Sequence, residues 1–482
     1  MDIQLVLYPY EQEHRFKYLA LYHALRDAIL GGTVIYGDKL PSTRQLAEQY
    51  GVSRGSVNEA YGMLIAEGYL DAVEGSGTYV AFKTDRGDRI PQDDRGRVRL
   101  SAWGERVEGI GMRRANRVKQ AAPLSFAMGV PDLSLFPLAE WTRLISAETR
   151  KLARVPRGDA WEAQGHRPLR EAIALYLRRA RGIAADPDDI VVFGGSMQAL
   201  ALLAQLLLDS GEPAVLESPG YPGADLAVRS AGGVPVYARV DEQGLVPEDW
   251  PARMLIATPS RQFPTGRVLS LERRQSLLAW AERHGSVIVE DDYDSEFRWG
   301  GRPIEPLKAL DRAGRVVYVG TFTKTMLPDL RIGYALLPRR LTGAAAAAKA
   351  LYEPHPTAVL EQRALAAFMR SGAYERHLRR MTRLYGRKAK ALAALLQSHL
   401  ADAFEIIPSD AGMHIFGWWR GSASLYNEYR YTCFASGVSW TDGTGYDLAD
   451  RRPSACFGFS HLSEEEWVRG VRIMHEVWLN LD

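Results

Sequence analysis

The apolar positions near the start of the chain recur at helical spacing. Between residues 19 and 30, Leu21, Leu25, Ala28 and Ile29 fall on one face of a helix. The pair of glycines that begins at Gly31 ends this pattern. The pattern therefore predicts an amphipathic helix that buries one side.

Two further helices follow within the next forty residues. Ser42 is a good helix cap, and Gln45 three residues later completes a capping box, so a second helix begins there and runs to Tyr50. A third helix begins at the cap Ser53 and ends near Gly68. The connection between these two helices is short, as it is in a helix-turn-helix.

Residues 69–80 contain two short strand patterns on either side of a glycine-rich turn, Gly75-Ser-Gly77-Thr78. Together with the three helices, they give the order helix, helix, tight turn, helix, hairpin. This order predicts an N-terminal winged helix-turn-helix.

After residue 123 the pattern changes to short apolar runs that alternate with helical segments. Such alternation predicts a mainly parallel α/β sheet, and the last ~90 residues suit a smaller α+β lobe. The apolar runs are 190–193, 214–217, 254–257, 287–289 and 316–319. The helical segments are 198–208, 271–283 and 361–370, with 464–479 in the lobe.

Length and composition fit this organisation. A chain of 482 residues with 46% hydrophobic and 24% charged residues is expected to form more than one globular domain. We predict a DNA-binding domain at 1–82, a linker rich in Arg, Asp and Gly at 83–120, and a larger domain at 121–482. Only Cys433 and Cys456 are cysteines, and neither a secretion signal nor a membrane span is evident, so we expect a cytoplasmic protein.

The distribution of charge leaves two interpretations of the first domain open. Residues 1–82 carry six basic and ten acidic side chains, whereas residues 83–120 carry eleven basic and six acidic ones. An acidic domain favours a protein-interaction module with solvated arginines. The helix order favours DNA binding, with guanidinium groups for bases and small polar groups for phosphates. The candidate groups are Arg44, Arg54, Ser42, Ser56, Asn58 and Thr78.

Three local motifs support the second interpretation. The runs Leu40-Pro-Ser-Thr-Arg44, Tyr50-Gly-Val-Ser-Arg54-Gly-Ser56 and Gly75-Ser-Gly-Thr78, in this order and spacing, resemble the winged-helix domain of the GntR family of bacterial transcription regulators. The resemblance implies that double-stranded operator DNA is contacted by Ser42, Arg44, Arg54, Ser56, Gly77 and Thr78.

We also expect the basic linker to supply phosphate contacts that the acidic domain lacks. Arg113, Arg114 and Arg117 are the side chains in question.

The larger domain contains a lysine in a setting that suggests covalent cofactor chemistry. Lys324 follows the strand-like run 316–319, and Arg331 lies seven positions further on. An amine beside phosphate-binding groups is what pyridoxal 5'-phosphate (PLP) requires for a Schiff base. A lone lysine after a strand is more often a solvated loop residue, so its neighbours decide.

The partners that PLP needs are present elsewhere in the chain. Asp291 ends a buried-type strand and could pair with the pyridine nitrogen, and Tyr293 could donate to the ring oxygen. The alternative is a group of solvated acidic loop residues. Acidic clusters can also bind metals, but this one contains no His or Cys, so no metal site is predicted.

A phosphate cup is predicted at the strand–helix junction Phe193-Gly-Gly195-Ser196-Met197, where helix N–H groups favour an anion. Thr321 and Arg331 could complete the cup with a hydroxyl group and a charge. Tyr221 could stack on the ring, although it could equally be an ordinary aromatic residue of a Pro-Gly turn.

Together these motifs resemble the fold-type I, aspartate-aminotransferase-like PLP enzymes over residues 123–482. Carried over residue by residue, the resemblance implies that Lys324 forms the Schiff base, Asp291 binds the pyridine nitrogen, Tyr293 holds the ring oxygen and Tyr221 stacks. The expected phosphate-binding and remaining cofactor-binding residues are Gly195, Ser196, Met197, Thr321, Thr323 and Arg331.

Joined to the winged helix, the whole chain resembles the MocR subfamily of GntR regulators. The resemblance implies a head-to-tail homodimer, associated with the bacterial nucleoid when bound to DNA, that senses an amino compound or PLP. It implies little or no catalytic turnover. Two alternatives are a working aminotransferase with an accessory DNA-binding module and a PLP-free DNA-binding scaffold.

Two positions depart from the aminotransferase pattern. Phe263 replaces the Asn that contacts the ring oxygen, and Cys456 replaces the Arg that binds the substrate carboxylate. A thiol cannot form a bidentate pair with a carboxylate. We therefore expect the effector to be PLP itself or an amino compound held by other groups, such as Arg261 or His414.

Overall fold

The computed structural model describes residues 5–83, 98–115, 122–152, 154, 162–301 and 304–481, with the side chains of residues 111–115 left out. The chain divides into two compact units, Met1–Arg99 and Leu100–Asp482. Within the described ranges, no helix is long and apolar enough to cross a membrane.

The first unit has the predicted winged-helix order. Its elements are α1 (Tyr8–Glu13), α2 (Lys17–Leu30), α3 (Thr43–Tyr50), α4 (Arg54–Ala66), β1 (Leu70–Val73) and β2 (Gly77–Val80). The predicted capping box of Ser42 and Gln45 begins α3, and the Ser53 side chain caps α4. A core that includes Leu21, Leu25 and Leu64 joins the helices to the antiparallel hairpin.

The second unit begins with a helix that the sequence did not predict. Residues 102–115, which lie inside the predicted linker, form α5 (Ala102–Ala115) and pack against α9 (Pro222–Ala231). Arg106 Nε donates to the carbonyl oxygen of Ser230 at 3.4 Å. Arg113 and Arg114 lie in this helix, but their side chains and the whole of Arg117 are outside the described residues.

The remaining elements of the second unit alternate as predicted. The helices are α6 (Leu138–Leu152), α7 (Arg167–Arg181), α8 (Ser196–Leu207), α9, α10 (Leu271–His284), α11 (Leu307–Leu310), α12 (Arg339–Tyr352), α13 (Val359–Arg370), α14 (Ala373–Leu400), α15 (Ala423–Ala435) and α16 (Glu464–Leu479). The strands are β3 (Leu124–Phe126), β4 (Ile190–Phe193), β5 (Pro213–Ser218), β6 (Val234–Asp241), β7 (Gly244–Leu245), β8 (Met254–Ala257), β9 (Val287–Asp292), β10 (Val316–Thr321), β11 (Gly333–Leu336), β12 (Phe404–Ile407), β13 (His414–Trp419), β14 (Val438–Asp442) and β15 (Ser454–Gly458).

Two sheets organise this unit. The larger has the order β4-β11-β10-β9-β8-β5-β6-β7, and its central strands β10, β9, β8, β5 and β6 are parallel. The strands β8 and β10 are buried on both faces, which explains their uninterrupted apolar runs. The smaller sheet has the order β12-β13-β15-β14-β3 and forms the predicted α+β lobe. The carboxyl ends of β9 and β10 are therefore adjacent, which brings distant motifs together.

Candidate functional site

A cavity of about 460 Å³ lies at the carboxyl ends of β9 and β10, between the large sheet and the lobe. Nine of its lining residues were predicted from the sequence for the cofactor site. They are Ser196, Met197, Tyr221, Asp291, Tyr293, Thr321, Thr323, Lys324 and Arg331. Gly195 immediately precedes the two lining residues at the start of α8. The topology thus gathers the predicted residues into one site.

Lys324 is held in this cavity by the main chain rather than exposed in a loop. Its Nζ donates to the carbonyl oxygen of Gly129 at 2.9 Å. Gly129 has φ +76°, and a Cβ there would lie 2.5 Å from Nζ, so a side chain at this position would strain the backbone and displace the amine. Burial, reinforced by the charge of Arg331, lowers the pKa of Lys324, which favours the neutral amine needed for attack on a carbonyl carbon.

The acidic residues at the end of β9 are buried, so they are not solvated loop residues. Most of them are bound by groups of the fold. Asp292 accepts hydrogen bonds from Arg181 and from the Tyr318 hydroxyl. Glu290 accepts from the backbone N–H groups of Leu307 and Lys308 at 3.0 and 2.8 Å, at the start of α11.

Asp291 differs from these neighbours. It is 5% exposed, and its Oδ1 has no hydrogen-bond partner among the described residues. Burial, followed by the charges of Asp292 and Asp294, raises its pKa to about 7. A buried carboxylate oxygen without a donor indicates a place for a ligand N–H group.

The predicted phosphate cup lies at the N-terminus of α8. No side chain caps this helix, so the N–H groups of Ser196 and Met197 are available to an anion. Gly195 has φ +117°, and a Cβ there would lie 2.8 Å from Arg331 Nη2. Arg331 itself has a left-handed backbone at φ 49°, and its Nη2 lies 3.4 Å from the Gly194 carbonyl oxygen. A cation and free N–H groups therefore converge on one point.

Two threonines of the cavity lining are hydrogen-bonded to each other. The Thr321 hydroxyl donates to Thr323 Oγ1 at 3.1 Å and accepts from the Thr323 N–H at 3.2 Å. Both side chains line the cavity. They give the cup hydroxyl groups as well as charge.

An aromatic cluster surrounds the position where the aminotransferase pattern has Asn. The Phe263 ring makes edge contacts with Tyr221 and Tyr293 at 5.5 Å and with Tyr446 at 5.0 Å between centroids. Phe263 thus replaces a hydrogen-bond donor with packing. The Tyr293 hydroxyl is bonded to Arg261 Nη1 at 2.5 Å.

The two groups named as alternative effector contacts are engaged within the protein. Arg261 is buried and binds Asp294 Oδ2 at 3.2 Å and the carbonyl oxygens of Ala411 and His414. His414 lines the cavity, but its Nε2 is 2.8 Å from the Pro264 carbonyl oxygen. Burial and the charge of Arg261 hold the pKa of His414 well below its usual value, so this ring is neutral.

Cys456 does not line the cavity. It lies on β15 opposite Phe416 and Thr441 and is fully buried in an apolar cluster with Ile407. A guanidinium group at this position would meet that apolar cluster and the charge of the buried Arg261, which interacts electrostatically with Cys456. A thiol at this position supplies no cation to a carboxylate.

Sequence reasoning missed several residues of the cavity because they carry no local motif. Met128 and Gly129 follow β3, Met413 precedes β13, and Tyr446 and Arg451 lie in the loop before β15. Only the tertiary fold brings them to Lys324. The left-handed Arg451, at φ 58°, could not be recognised from sequence.

The first unit carries the predicted DNA-facing residues at its surface. Arg44 and Arg54 are exposed near the starts of α3 and α4, and Arg54 Nε donates to Thr43 Oγ1 at 3.3 Å. The hairpin is tied to the residue before Pro41, since the Leu40 N–H donates to the Thr78 carbonyl oxygen at 2.9 Å. The remaining predicted residues are exposed or half-buried: Ser42, Ser56, Asn58, Gly77 and Thr78.

The residues present fit pyridoxal phosphate. The unpaired Oδ1 of Asp291 suits the pyridine N–H, the uncapped helix and Arg331 suit the phosphate, and the Lys324 amine suits the aldehyde carbon. The family model of aminotransferase class I and II matches residues 129–441, and the model of bacterial regulatory proteins of the gntR family matches residues 17–80.

Relatives and solved structures agree with these two matches. The chain is 40% identical to the "Probable rhizopine catabolism regulatory protein MocR" of Rhizobium meliloti, over 96% of this chain and 94% of the relative. It is 32% identical to the pyridoxine biosynthesis transcriptional regulator PdxR of Corynebacterium glutamicum, over 86% and 85%.

Among solved structures, the α-aminoadipate aminotransferase LysN of Thermus thermophilus, complexed with N-(5'-phosphopyridoxyl)-L-leucine, aligns with a TM-score of 0.69 and 25% identity. It covers 79% of this chain and 97% of that structure. The multiple substrate aminotransferase of Thermococcus profundus aligns with a TM-score of 0.70 at 24% identity, over 79% and 97%. These likenesses support the aminotransferase fold of the second unit.

Three relatives that match over 96%, 86% and 79% of this chain are regulators, so a transcription regulator is better supported than an aminotransferase with an accessory DNA-binding module. The chain belongs to the MocR subfamily of the GntR family, in which a winged helix-turn-helix is joined to an aminotransferase-like domain.

Proposed function

We propose that this regulator binds PLP at Lys324 and responds to an amino compound or to PLP itself by changing its affinity for operator DNA. The observation that carries the proposal is the convergence of three groups on one cavity. These are the amine of Lys324, the unpaired carboxylate oxygen of Asp291 and the uncapped N-terminus of α8 beside Arg331. PLP supplies an aldehyde that condenses reversibly with amines.

Each residue has a distinct task in this proposal. Asp291 accepts the pyridine N–H and keeps that nitrogen protonated. Ser196, Met197, Thr321, Thr323 and Arg331 bind the phosphate, and Tyr221 packs against the ring. Because Tyr293 is bonded to Arg261, its hydroxyl is oriented by a buried cation before any ligand arrives.

The response depends on a competition for Lys324. In the structure its amine donates to the main chain at Gly129, three residues after β3 of the lobe. An amino compound that displaces Lys324 returns the amine to this carbonyl group. We infer that the lobe senses the ligand through this segment, and a population shift between two lobe positions then alters DNA affinity.

The assembly completes the proposal. We propose a head-to-tail homodimer that presents two winged helices to an operator in the bacterial cytoplasm, at the nucleoid. Light scattering should then give twice the 53.7 kDa chain mass. A monomer at micromolar concentration contradicts this part of the proposal.

The first test is spectroscopic. The purified chain supplied with PLP should show a visible absorption band above that of free PLP, and Lys324→Ala should remove it. The exposed Lys390 is the matched control, and Lys390→Ala should keep the band. If Lys324→Ala retains the band, PLP is not bound at this residue.

A second test separates sensing from turnover. The PLP-loaded protein is titrated with L- and D-amino acids while the spectrum and operator affinity are recorded together. A sensor changes its DNA affinity without converting its cofactor fully to the amine form. Rapid and complete conversion, with unchanged DNA affinity, supports the aminotransferase alternative instead.

The DNA contacts are tested at Arg54. Arg54→Ala should weaken operator binding by about 1–3 kcal/mol, as expected when one bidentate base contact is removed. The control is Arg15→Ala, an exposed arginine of the same unit before α2. Equal losses of affinity in both variants would mean that Arg54 contributes only general charge.

A further inference from the structure

At the position on β15 where the aminotransferase pattern has the Arg that binds the substrate carboxylate, this chain has Cys456, which lies in an apolar cluster and does not line the cavity. The basic side chains that line the cavity within the described part of the chain are Lys324, Arg331, His414 and Arg451. Lys324 and Arg331 serve the cofactor, and the His414 ring is neutral and bonded to a carbonyl group. Arg451 is the remaining cation.

The loop that carries Arg451 is held by hydrogen bonds to one side chain, Asp447. Asp447 is 6% exposed, and its Oδ1 accepts from the Ser218 hydroxyl at 2.9 Å. Asp447 Oδ2 accepts from the Arg452 N–H at 3.0 Å, and the Ala449 N–H donates to Ser218 Oγ at 3.0 Å. Ser218 ends β5, so the loop is anchored to the large sheet at the edge of the cavity.

Arg451 has a backbone that few arginines adopt. Its φ is 58°, in the left-handed region, and its N–H donates to the Asp447 carbonyl oxygen at 3.2 Å. Such a conformation costs on the order of 1 kcal/mol for a residue with a side chain, so the surrounding loop must impose it. The exposed Arg451 side chain is part of the lining of the cavity.

The next residue shows that this placement is specific. Arg452 lies over the Trp418 ring of β13 at 4.4 Å and pairs with Glu405 of β12 at 3.8 Å. For Arg451, by contrast, no carboxylate of the described residues lies within 4 Å. Arg452 therefore has partners within the lobe, whereas Arg451 places its positive charge at the lining of the cavity.

We propose that Arg451 binds the carboxylate of the effector, which is therefore an amino acid whose carboxylate lies at the rim of the cavity instead of at β15. This inference rests on the proposed function, since the effector amine must reach the cofactor at Lys324. Tyr446 and Phe263 supply the apolar wall between the two ends. A guanidinium group suits this role because it pairs with both carboxylate oxygens.

The test uses the full-length, PLP-loaded protein and pairs of probes that differ only in the carboxylate. These are L-alanine with ethylamine and 4-aminobutyrate with propylamine. The midpoint of the spectral change is measured for the wild type, Arg451→Gln, Arg451→Lys and the control Arg452→Gln. All four proteins must first show the same cofactor band, which establishes that they are folded and loaded.

The wild type should bind at least one amino acid more tightly than its amine by on the order of 10- to 100-fold. Arg451→Gln should abolish this preference without changing amine binding. Arg451→Lys should keep part of it, and Arg452→Gln should keep it all.

Three results separate the possible failures. Unchanged discrimination in Arg451→Gln, or an equal loss in Arg452→Gln, overturns the assignment of Arg451. A loaded wild type that binds amines and amino acids equally overturns the amino-acid class but leaves PLP sensing intact. The absence of any cofactor band in the wild type overturns the proposed function itself.

Discussion

Asp291 lies in a sequence of acidic residues that look alike but have different environments. Asp292 is bonded to Arg181 and Tyr318, and Asp294 is paired with Arg261. The Asp291 Oδ1 has no partner among the described residues. Glu296 Oε2 also has no partner among the described residues, but Glu296 does not line the cavity. Asp291 therefore combines a place in the cavity lining with an oxygen that is available to a ligand.

Replacing Asp291 with Asn should weaken PLP binding by about tenfold or more, because an amide cannot hold the pyridine nitrogen protonated. The change is nearly isosteric, so the fold should remain intact. The measurement is the dissociation constant of PLP from the absorption band. Asp292→Asn is the control, since it breaks a buried ion pair and should cost about 3–5 kcal/mol of stability. If Asp291→Asn binds PLP normally, Asp291 does not contact the ring.

The same residue predicts a pH dependence in the protein without PLP. The pKa of Asp291 is raised to about 7, so the folded chain holds a proton that the unfolded chain has lost at lower pH. This contribution to stability is complete at acid pH and is lost as the pH rises towards 7.

Urea unfolding of wild type and Asp291→Asn at several pH values isolates this effect. The difference in unfolding free energy between the two proteins should change in favour of the variant as the pH rises. Other buried acids, such as Glu217 and Glu290, are present in both proteins and cancel. A pH-independent difference contradicts the raised pKa.

Two helices, one in each unit, begin with the same capping motif. Ser42 and Gln45 form a capping box at α3, and Ser463 and Glu466 form one at α16. In each, the serine side chain accepts from the N–H of the third residue, and that residue's side chain accepts from the serine N–H.

Ser42→Ala should therefore destabilise the first unit by about 1 kcal/mol, and Ser463→Ala should act on the second unit by a similar amount. Calorimetry of the full chain should show a lower transition temperature for a different unit in each variant. If both variants shift the same transition, the two units do not unfold independently.

The sequence predicted those elements whose signals are local. The caps at Ser42 and Ser53 and the buried runs of β9 and β10 were confirmed. Helix α5 was missed because its charged, glycine-containing segment has weak helix propensity and depends on packing against α9.

The residues of the site also divide into those with a local sequence signal and those placed by tertiary structure. Lys324, Asp291 and the Ser196–Met197 pair could be recognised because each belongs to a short motif at the end of a strand. Gly129 and Arg451 lie far from those motifs in sequence and reach the cavity through tertiary structure. The proposed cofactor contacts were thus readable from sequence, whereas the proposed effector contact was not.

For the whole molecule, the distribution of charge raises the question of what neutralises DNA phosphates. Residues 1–82 contain ten acidic and six basic side chains, and the excess of basic residues begins in the following segment. Because this DNA-binding unit is acidic, the cations that neutralise DNA phosphates must come in part from elsewhere in the chain.

Replacing Arg113, Arg114 and Arg117 with Gln should weaken operator binding. It should also reduce the slope of log affinity against log salt by about 0.9 for each phosphate that is no longer neutralised. Fluorescence anisotropy at several salt concentrations measures this slope. The matched control replaces the exposed Arg178 and Arg179 of α7. An unchanged slope in the triple variant would falsify the role of the linker.

The hydrogen bonds that hold the loop around Asp447 determine which positions near the cavity can be substituted without disturbing the fold. Its internal contacts use backbone groups and Ser218, so none of the bonds of Asp447 depends on the side chain at position 451. Residue 451 can be exchanged without repacking a core strand, whereas restoring a cation at Cys456 would disrupt an apolar cluster. With the proposed role of Arg451, ligand preference is expected to change through substitutions at this one loop position without altering the DNA-binding unit, so a mutant library for a biosensor should begin there.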